Sequence, residues 1–209
     1  MQEKKYRCIV SHYESCLEKF GDTHKGVDWP KQEDVDTRYR VMLELIKQPV
    51  EERVHLLDLG CGASHMYEYI VRNNMTDIEY SGLDLSPKFI ELSRRKYPSQ
   101  EFYCLDLLEN ADKLPRFDYM VMNGVFTEKR ELPFDEMFEY LESMLEAAFE
   151  KCRIGLAFNV MSKHVDWERE DLFHVPFDRL AQFLGKSLTR NYVFRNDYGL
   201  YEYTVYVYR

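Results

Sequence analysis

The sequence has no long apolar segment: no stretch reaches the roughly 18 uncharged apolar residues that a membrane-spanning helix needs. The first residues, Met1 to Arg7, lead into no apolar region, so a cleaved signal peptide is not expected. The five scattered cysteines include no C-x-x-C pair, which argues against a disulfide framework or a zinc site. The sequence therefore predicts a cytoplasmic protein with no membrane partner and no metal.

Positive charge is also in short supply. The chain carries 28 Lys and Arg residues against 37 Asp and Glu residues, a formal net charge of −9. We interpret the basic run Ser93-Arg94-Arg95-Lys96 as a solvated helix end. Because a nucleic-acid ligand needs a compensating basic surface, a small-molecule substrate is favoured and no nucleic-acid partner is expected. The sequence leaves open whether the chain forms a homodimer.

What the sequence does have is an alternation of strand-like and helix-like segments from residue 53 onward. Five strand–helix alternations predict a parallel sheet covered on both faces, and the last two strands predict an antiparallel hairpin across residues 196–199. The expected fold is α/β: a seven-stranded, mostly parallel sheet with helices on both faces and a C-terminal antiparallel hairpin. The predicted strands cover 53–59, 78–83, 101–105, 117–122, 153–160, 189–195 and 200–208, and the predicted helices cover 64–73, 87–97, 134–151 and 177–184.

Two further helices are predicted ahead of the sheet. Apolar residues spaced by three and four indicate a helix over 4–20, and Asp34 is a plausible N-cap for a second helix that ends at Pro49. The glycine- and proline-punctuated segment 21–30 between them is a loop. We therefore divide the chain into an N-terminal helical cap over 1–50 and a sheet domain over 51–209.

The most informative stretch runs from Val54 to Ser64. It reads as a buried strand that breaks at Gly60 and Gly62 into a tight turn and then enters a helix. Neither glycine carries a Cβ, so the backbone can approach a ligand closely. The helix that follows offers free N–H groups and the positive end of its dipole. This arrangement is typical of a nucleotide-like cofactor site.

The residue types around the turn restrict which cofactor it could hold. The dinucleotide fingerprint G-x-G-x-x-G fails because His65 occupies the third glycine position, and the phosphate-binding loop fails because no G-K-[ST] is present. Ligands of open α/β sheets bind at the carboxyl ends of the strands, where Asp84, Asp106 and Asn123 are expected. A carboxylate at Asp84 could accept hydrogen bonds from ribose hydroxyls, and Asp106 could accept from an adenine amine.

Four segments together resemble the motifs of the class I, Rossmann-like S-adenosylmethionine-dependent methyltransferases. Residues 57–62, Leu-Asp-Leu-Gly-Cys-Gly, resemble the first motif, and 82–86, Gly-Leu-Asp-Leu-Ser, resemble the second. Residues 105–107 and 117–124 resemble the third and fourth, and the resemblance extends over about 53–209. It implies S-adenosylmethionine as the cofactor, bound by Asp58, Gly60, Cys61, Gly62, Asp84, Leu85, Asp106, Leu107, Asn123 and Gly124.

The resemblance also implies a role for most of these positions. The two glycines would pass near the methionine part of the cofactor, and Asp84 would bind its ribose. Asp106 and Leu107 would bind the adenine, with Leu85 packed on it, while Asn123 and Gly124 would line the methionine side and the substrate mouth. For Asp58, a role in organising the turn is as plausible as a direct contact.

Methyl transfer depends largely on alignment of the reacting groups, but an oxygen or nitrogen acceptor often also needs a base. Three loops could supply it. The loop after the fifth strand offers His164 as the leading base, with Asp166 as its orienting partner or a substrate contact. The loop after the fourth strand offers Glu128 as a base and Lys129 as a substrate contact. The N-terminal loop offers His24 as a base, Lys25 as an anion contact and Trp29 as a lid over the substrate.

Each of these loops could equally be an ordinary solvated segment, and His12 and His55 are interpreted as structural. The hypothesis that follows is a methyltransferase acting on oxygen or nitrogen of a small polar metabolite, with a sugar, sugar-nucleotide or other surface-polysaccharide precursor as one such class. An alternative is a non-catalytic S-adenosylmethionine-binding regulatory module, since Asn123-Gly124-Val125-Phe126 replaces the Asn/Asp-Pro-Pro-Tyr tetrad of amino-methylating enzymes. A nicotinamide-dependent oxidoreductase is a third, less favoured alternative.

Overall fold

The computed structural model describes residues 6–47 and 52–209. No helix within these two ranges is both long and apolar enough to cross a lipid bilayer. Shorter helical turns lie at His24–Val27, Ala111–Lys113 and Leu184–Leu188. The α-helices are α1 (Arg7–Phe20), α2 (Gln32–Leu43), α3 (His65–Arg72), α4 (Pro87–Lys96), α5 (Leu107–Asn110), α6 (Phe134–Lys151) and α7 (Phe177–Phe183). The strands are β1 (Val54–Leu59), β2 (Ile78–Asp84), β3 (Glu101–Cys104), β4 (Phe117–Phe126), β5 (Cys152–Ser162), β6 (His174–Val175), β7 (Tyr192–Arg195) and β8 (Glu202–Tyr208).

The strands form one twisted sheet in the order β3-β2-β1-β4-β5-β8-β7, and β6 pairs with β5 outside this path. The first five strands are mutually parallel, whereas β8 runs antiparallel to both β5 and β7. The predicted fold class is confirmed. The two-residue strand β6 was not predicted because it is too short to show any periodicity. The strand order reverses between β1 and β4, which is where ligands of such sheets bind.

Both faces of the sheet are buried. Leu56 and Leu57 are consecutive in β1 and both fully buried, and they belong to two separate hydrophobic clusters on opposite faces. The long helix α6 covers one face, while Met42 of α2 packs with the residues of the other. Helix α2 is therefore part of the layer that covers the sheet. The proposed boundary between cap and domain at residues 50 and 51 lies outside the described residues, so that division stays a prediction.

Three of the differences from the predicted bounds have a physical explanation. Helix α2 begins at Gln32, so Asp34 is not its N-cap and instead lies in the first turn, where a carboxylate is also favourable. Strand β4 continues through Asn123 to Phe126, with an irregular register to β5 after Met122. The chain does not leave the helical conformation at Gly185, because a π-helical turn extends α7 to Leu188. Glycine weakens a helix by only about 1 kcal/mol, which tertiary packing can offset.

Candidate cofactor site

The glycine turn after β1 is held against the end of β2. Gly60 and Gly62 have φ angles of +79° and +51°, in the left-handed region that glycine tolerates best. The N–H groups of Gly60 and Cys61 donate to the carbonyl oxygen of Leu83 at 2.7 and 3.0 Å. A Cβ built on Gly60 would lie 2.5 Å from Cγ2 of Val125. Both the backbone conformation and the close approach of β4 therefore require glycine at this position.

Asp84, at the end of β2, organises the turn with its carboxylate. Its Oδ2 accepts a hydrogen bond from the N–H of Gly62 at 2.9 Å, and its Oδ1 accepts from the N–H of Ser86 at 2.8 Å. Burial raises the pKa of Asp84 above its ordinary value, although these two backbone donors lower it. A carboxylate has about four acceptor positions, so this one can still accept from two hydroxyl groups of a ligand.

A cavity of about 1090 Å³, part of it open to solvent, lies at this edge of the sheet between β1 and β4. The structure brings nine of the ten sequence-predicted cofactor residues to its wall, and only Asp106 is missing from the lining. The nine are Asp58, Gly60, Cys61, Gly62, Asp84, Leu85, Leu107, Asn123 and Gly124.

Asp106 does not line the cavity because its carboxylate is engaged elsewhere. Its Oδ1 accepts from the N–H of Leu108 at 3.1 Å and caps α5, while its Oδ2 accepts from the hydroxyl of Tyr6 at 2.6 Å. The neighbouring side chains of Leu105 and Leu107 reach the cavity instead. An adenine contact from Asp106 stays a prediction, and the structure favours an apolar contact from the two leucines.

Asn123, a residue of the cavity lining, carries an unpaired acceptor. Its side-chain Oδ1 is buried and has no hydrogen-bond partner within the described part of the chain. Leaving such an atom unpaired costs about 1–3 kcal/mol, which a ligand donor would recover. The next residue is fixed, because the N–H of Gly124 donates to Oδ1 of Asn159 at 2.8 Å. The Asn123 amide is therefore held at the wall, ready for a donor group such as an ammonium.

Asp58, at the end of β1, is fully enclosed. Its Oδ2 accepts from the hydroxyl of Tyr80 at 2.9 Å. Burial raises its pKa to about 7, with the negative charge of Asp84 adding to the shift and the Tyr80 hydroxyl opposing it. Since Asp58 both anchors Tyr80 and lines the cavity, the geometry is compatible with either of the two roles that the sequence left open.

Helix α1, which belongs to the predicted N-terminal helical cap, covers the cavity from the N-terminal side, although its individual lining residues were not predicted. Tyr6, Ile9, Val10 and Tyr13 on one face of α1 line the cavity. The four-residue periodicity showed that this face is buried, but periodicity carries no information about the partner. The helix is tied to the start of α4, since the Ser86 hydroxyl donates to Oε1 of Glu14 at 2.5 Å.

Trp29 forms another part of the cover and is held by a buried chain of polar contacts. Its ring packs on Gly124, where a Cβ would lie 2.9 Å from the ring atom Cζ2. The Arg38 guanidinium lies 4.2 Å from the centre of the ring. Arg38 Nε donates to Oε2 of Glu202 at 2.9 Å, and Glu202 Oε1 accepts from Nδ2 of Asn159 at 2.9 Å. Since Asn159 also accepts from Gly124, these contacts form a closed circuit around the wall of the cavity.

Comparisons with known proteins agree with this geometry. Residues 57–153 match a protein-family model described as a methyltransferase domain. The Mycobacterium tuberculosis protein named "Putative methyltransferase Rv1506c" is 26% identical over 156 residues, which are 72% of this chain and 90% of the relative. The chain is therefore similar to S-adenosylmethionine-dependent methyltransferases, with the family match confined to residues 57–153.

Solved structures show the same fold over nearly the whole chain. The magnesium protoporphyrin IX methyltransferase of Synechocystis PCC 6803, crystallised with S-adenosylmethionine, superposes with a TM-score of 0.68 at 13% identity, over 99% of this chain and 98% of that one. Human N-acetylserotonin methyltransferase superposes with a TM-score of 0.62 at 12% identity, over 98% of this chain and 66% of that one. At these identities the likeness concerns the fold.

Two of the base candidates lie outside the cavity lining. His164 is exposed and stacks on Phe177, with ring centres 5.5 Å apart. Asp166 accepts from the Tyr201 hydroxyl at 3.2 Å, and no hydrogen bond or ion pair joins it to His164 within the described residues. His24 lies with Lys25 in the short turn His24–Val27, and neither side chain lines the cavity, whereas Trp29 does.

The third base candidate, Glu128, is buried beside the cavity without lining it. Its Oε2 lies 3.3 Å from Nη1 of Arg130 and 3.6 Å from Nε2 of His12. Burial raises its pKa to about 8, and the adjacent carboxyl of Asp28 adds to the shift. Lys129 Nζ donates to the carbonyl oxygen of Leu132 at 3.3 Å, and its side chain lines a separate, shallower cavity outside α1. Catalytic or substrate-binding roles for these side chains stay predictions.

Proposed function

We propose that this protein is a methyltransferase that binds S-adenosylmethionine at the glycine turn and transfers its methyl group to oxygen or nitrogen of a small polar metabolite. One observation carries the proposal: the glycine turn and the carboxylates of Asp58 and Asp84 line one cavity at the carboxyl ends of the strands. Such a wall suits a ligand that brings hydroxyl groups and positive charge. His65 stands where a dinucleotide site has its third glycine, which disfavours a nicotinamide dinucleotide.

The residues present fit the cofactor. Its sulfonium supplies an electrophilic methyl group when bound. Gly60 and Gly62 allow the backbone to approach closely, and Asp84 has acceptor positions left for ribose hydroxyls. The carbonyl oxygen of Asn123 would accept from the amino group, and Trp29 with α1 would keep water from the reacting atoms. Exclusion of water strengthens each of these polar contacts.

The choice of a hydroxylated acceptor, such as a sugar, is supported by neutral polar groups on the cover. Tyr13 lines the cavity, and its hydroxyl donates to the carbonyl oxygen of Gly124 at 3.4 Å, a long bond that a substrate could replace. Burial raises the pKa of Tyr13 far above its ordinary value, so its hydroxyl stays neutral. The two solved structures named above are a magnesium protoporphyrin IX methyltransferase and an N-acetylserotonin methyltransferase, so the shared fold does not itself select the acceptor.

Isothermal titration with S-adenosylhomocysteine tests the cofactor. We expect micromolar binding that Asn123→Ala weakens about tenfold to a hundredfold, the worth of one hydrogen bond to a charged group. Asn73→Ala, at the exposed end of α3, is the control and should bind like the wild type. No binding up to millimolar concentration would refute the proposal, and tight NADH binding detected by fluorescence would favour an oxidoreductase instead.

A second candidate function is a non-catalytic module that binds S-adenosylmethionine. It is favoured by the position of His164, His24 and Glu128, none of which lines the cavity. Incubation with labelled S-adenosylmethionine and a library of hydroxylated and amino metabolites separates the two functions. A labelled product supports the enzyme, whereas cofactor binding without any transfer supports the module.

A further inference from the structure

Four potential metal ligands converge outside the cofactor cavity, around one imidazole nitrogen. Nε2 of His12 lies 2.7 Å from Oδ2 of Asp28, 3.6 Å from Oε2 of Glu128 and 3.7 Å from Sγ of Cys16. The donor atoms of His12, Cys16 and Asp28 all lie within 4.8 Å of one another. His12 and Cys16 are one turn apart on α1, Asp28 ends the turn that follows it, and Glu128 follows β4.

We infer that His12, Cys16, Asp28 and Glu128 form a binding site for a zinc-like transition-metal ion. This inference goes beyond the proposed function and revises the expectation of no metal. Scattered cysteines in the sequence argued against zinc, but the fold adds Asp28 and Glu128 to His12 and Cys16, which lie one turn apart on α1.

The distances suit tetrahedral coordination. Zinc lies about 2.0–2.3 Å from nitrogen, oxygen and sulfur ligands, which places neighbouring ligand atoms about 3.3–3.8 Å apart. The distances from His12 to Glu128 and Cys16 fall in this range, and the hydrogen-bonded contact from His12 to Asp28 must lengthen by about 1 Å. A donor set with thiolate and imidazole favours zinc, copper or cobalt over magnesium or calcium, which prefer oxygen ligands alone.

The charge of the surroundings also fits. A divalent ion bound by one thiolate, two carboxylates and a neutral imidazole has a net charge of −1. Arg130 can balance this charge, because its Nη1 lies 3.3 Å from Glu128 and 3.7 Å from Asp171. Cys16 and Glu128 are buried, whereas the side chains of His12 and Asp28 are 23% and 35% exposed. The shallow cavity lined by His12, Arg130 and Asp171 provides a path from solvent.

A second cluster of potential metal ligands already has a positively charged side chain beside its carboxylates. Asp22, His65 and Glu68 also lie close together, but Nζ of Lys96 is 2.8 Å from Asp22 and 2.6 Å from Glu68. The ammonium group supplies the positive charge that a metal would bring. At the His12 cluster Arg130 faces Glu128 and leaves Cys16 and Asp28 free for an ion.

The inferred site would tie the cover of the cofactor cavity to the sheet. Tyr13 follows His12 directly in α1 and lines the cavity, while Glu128 is attached to β4. Metal binding would therefore stabilise the folded chain, because the ligands are assembled only in the native state.

The full chain, stripped with a chelator and dialysed, should retain one zinc ion per chain after titration and gel filtration, measured by elemental analysis. Its Tm should rise, and Co²⁺ should give the absorption of a thiolate-bound tetrahedral ion. Cys16→Ser and Asp28→Asn should each weaken zinc binding at least tenfold and should blunt the rise in Tm. Cys8→Ser, an exposed cysteine of the same helix, is the matched control and should bind zinc like the wild type.

Failure of the wild type to retain zinc would overturn the inference. So would equal binding by the wild type and Cys16→Ser, which indicates adventitious binding at the surface. Asp28 has a φ angle of +58°, a conformation that asparagine tolerates, so Asp28→Asn tests the site even where Cys16→Ser does not fold. None of these readouts depends on methyl transfer.

Discussion

The replacement Asp58→Asn should make the protein more stable, and increasingly so as the pH rises. Asp58 is buried, and its pKa lies near 7 in the folded chain against an ordinary value of 3.8. A carboxyl group whose pKa is higher in the folded than in the unfolded chain is protonated in both states below the unfolded-state pKa. At such a pH it therefore does not lower the free energy of unfolding. The free energy of unfolding then falls as the pH rises from about 4 towards about 7. Asparagine does not ionise and can still accept the hydrogen bond from Tyr80.

The expected gain in stability follows from the difference between the folded-state and unfolded-state pKa values of Asp58. A difference of about 3 pH units at about 1.4 kcal/mol each gives an upper limit of about 4 kcal/mol, fully expressed above pH 7. Between pH 5 and pH 8, the stability advantage of Asp58→Asn over the wild type should grow by about 2–3 kcal/mol. Other buried acids such as Glu128 titrate in both proteins, so their contributions cancel in the difference.

Urea unfolding at pH 5, 6, 7 and 8, followed by far-UV circular dichroism, measures the effect. The matched control is Glu139→Gln on the exposed face of α6, whose difference from the wild type should not change with pH. A pH-independent difference for Asp58→Asn would show that Asp58 ionises normally. Burial at the end of β1 would then not raise its pKa, contrary to the account given above.

Two other substitutions test the architecture of the site. Gly60→Ala should lower the free energy of unfolding by about 1–3 kcal/mol and weaken S-adenosylhomocysteine binding, because it combines a left-handed backbone with a steric clash. The control is Gly185→Ala, which has open space around it and whose free energy of unfolding should stay within about 1 kcal/mol of the wild type. Arg38→Ala should lower the free energy of unfolding by about 3–5 kcal/mol, because it leaves the buried carboxylate of Glu202 without its cationic partner. Arg72→Ala, in an exposed pair, should lower it by less than about 1 kcal/mol. Equal losses for Arg38→Ala and Arg72→Ala would show that the buried pair is dispensable.

The sheet side of the site could be predicted from the sequence because parallel strands place their carboxyl ends at one edge. The glycine turn, Asp84 and Asn123 were each identified as strand ends, and all three meet at the cavity. The end of β4 was predicted less accurately, since the predicted strand stops at residue 122 whereas β4 continues to Phe126. Pairing with β5 supports this continuation, and it has no local signature.

The cover of the site could not be predicted in the same way. An apolar stripe on α1 indicates burial, but only the tertiary structure shows that Tyr13 faces the cofactor cavity and His12 faces the other side. Charged loops pose a similar problem, because Glu128 and His164 both lie in a stretch of ionisable residues that follows a strand. The first is buried beside Asp28 and the second lies exposed on Phe177. Their surroundings depend on contacts between distant parts of the chain.

The buried circuit from Arg38 through Glu202 and Asn159 to Gly124 has a consequence for biosynthesis. Arg38 leaves the ribosome 164 residues before Glu202, its partner on β8. Until β8 inserts beside β5, the guanidinium of Arg38 and the amide of Asn159 lack the carboxylate that joins them, and the wall beneath Trp29 is incomplete. Contacts this distant in sequence form late, since loop closure must come first. A nascent chain can therefore assemble the glycine turn early, but it acquires a complete cavity wall only when β8 has been added.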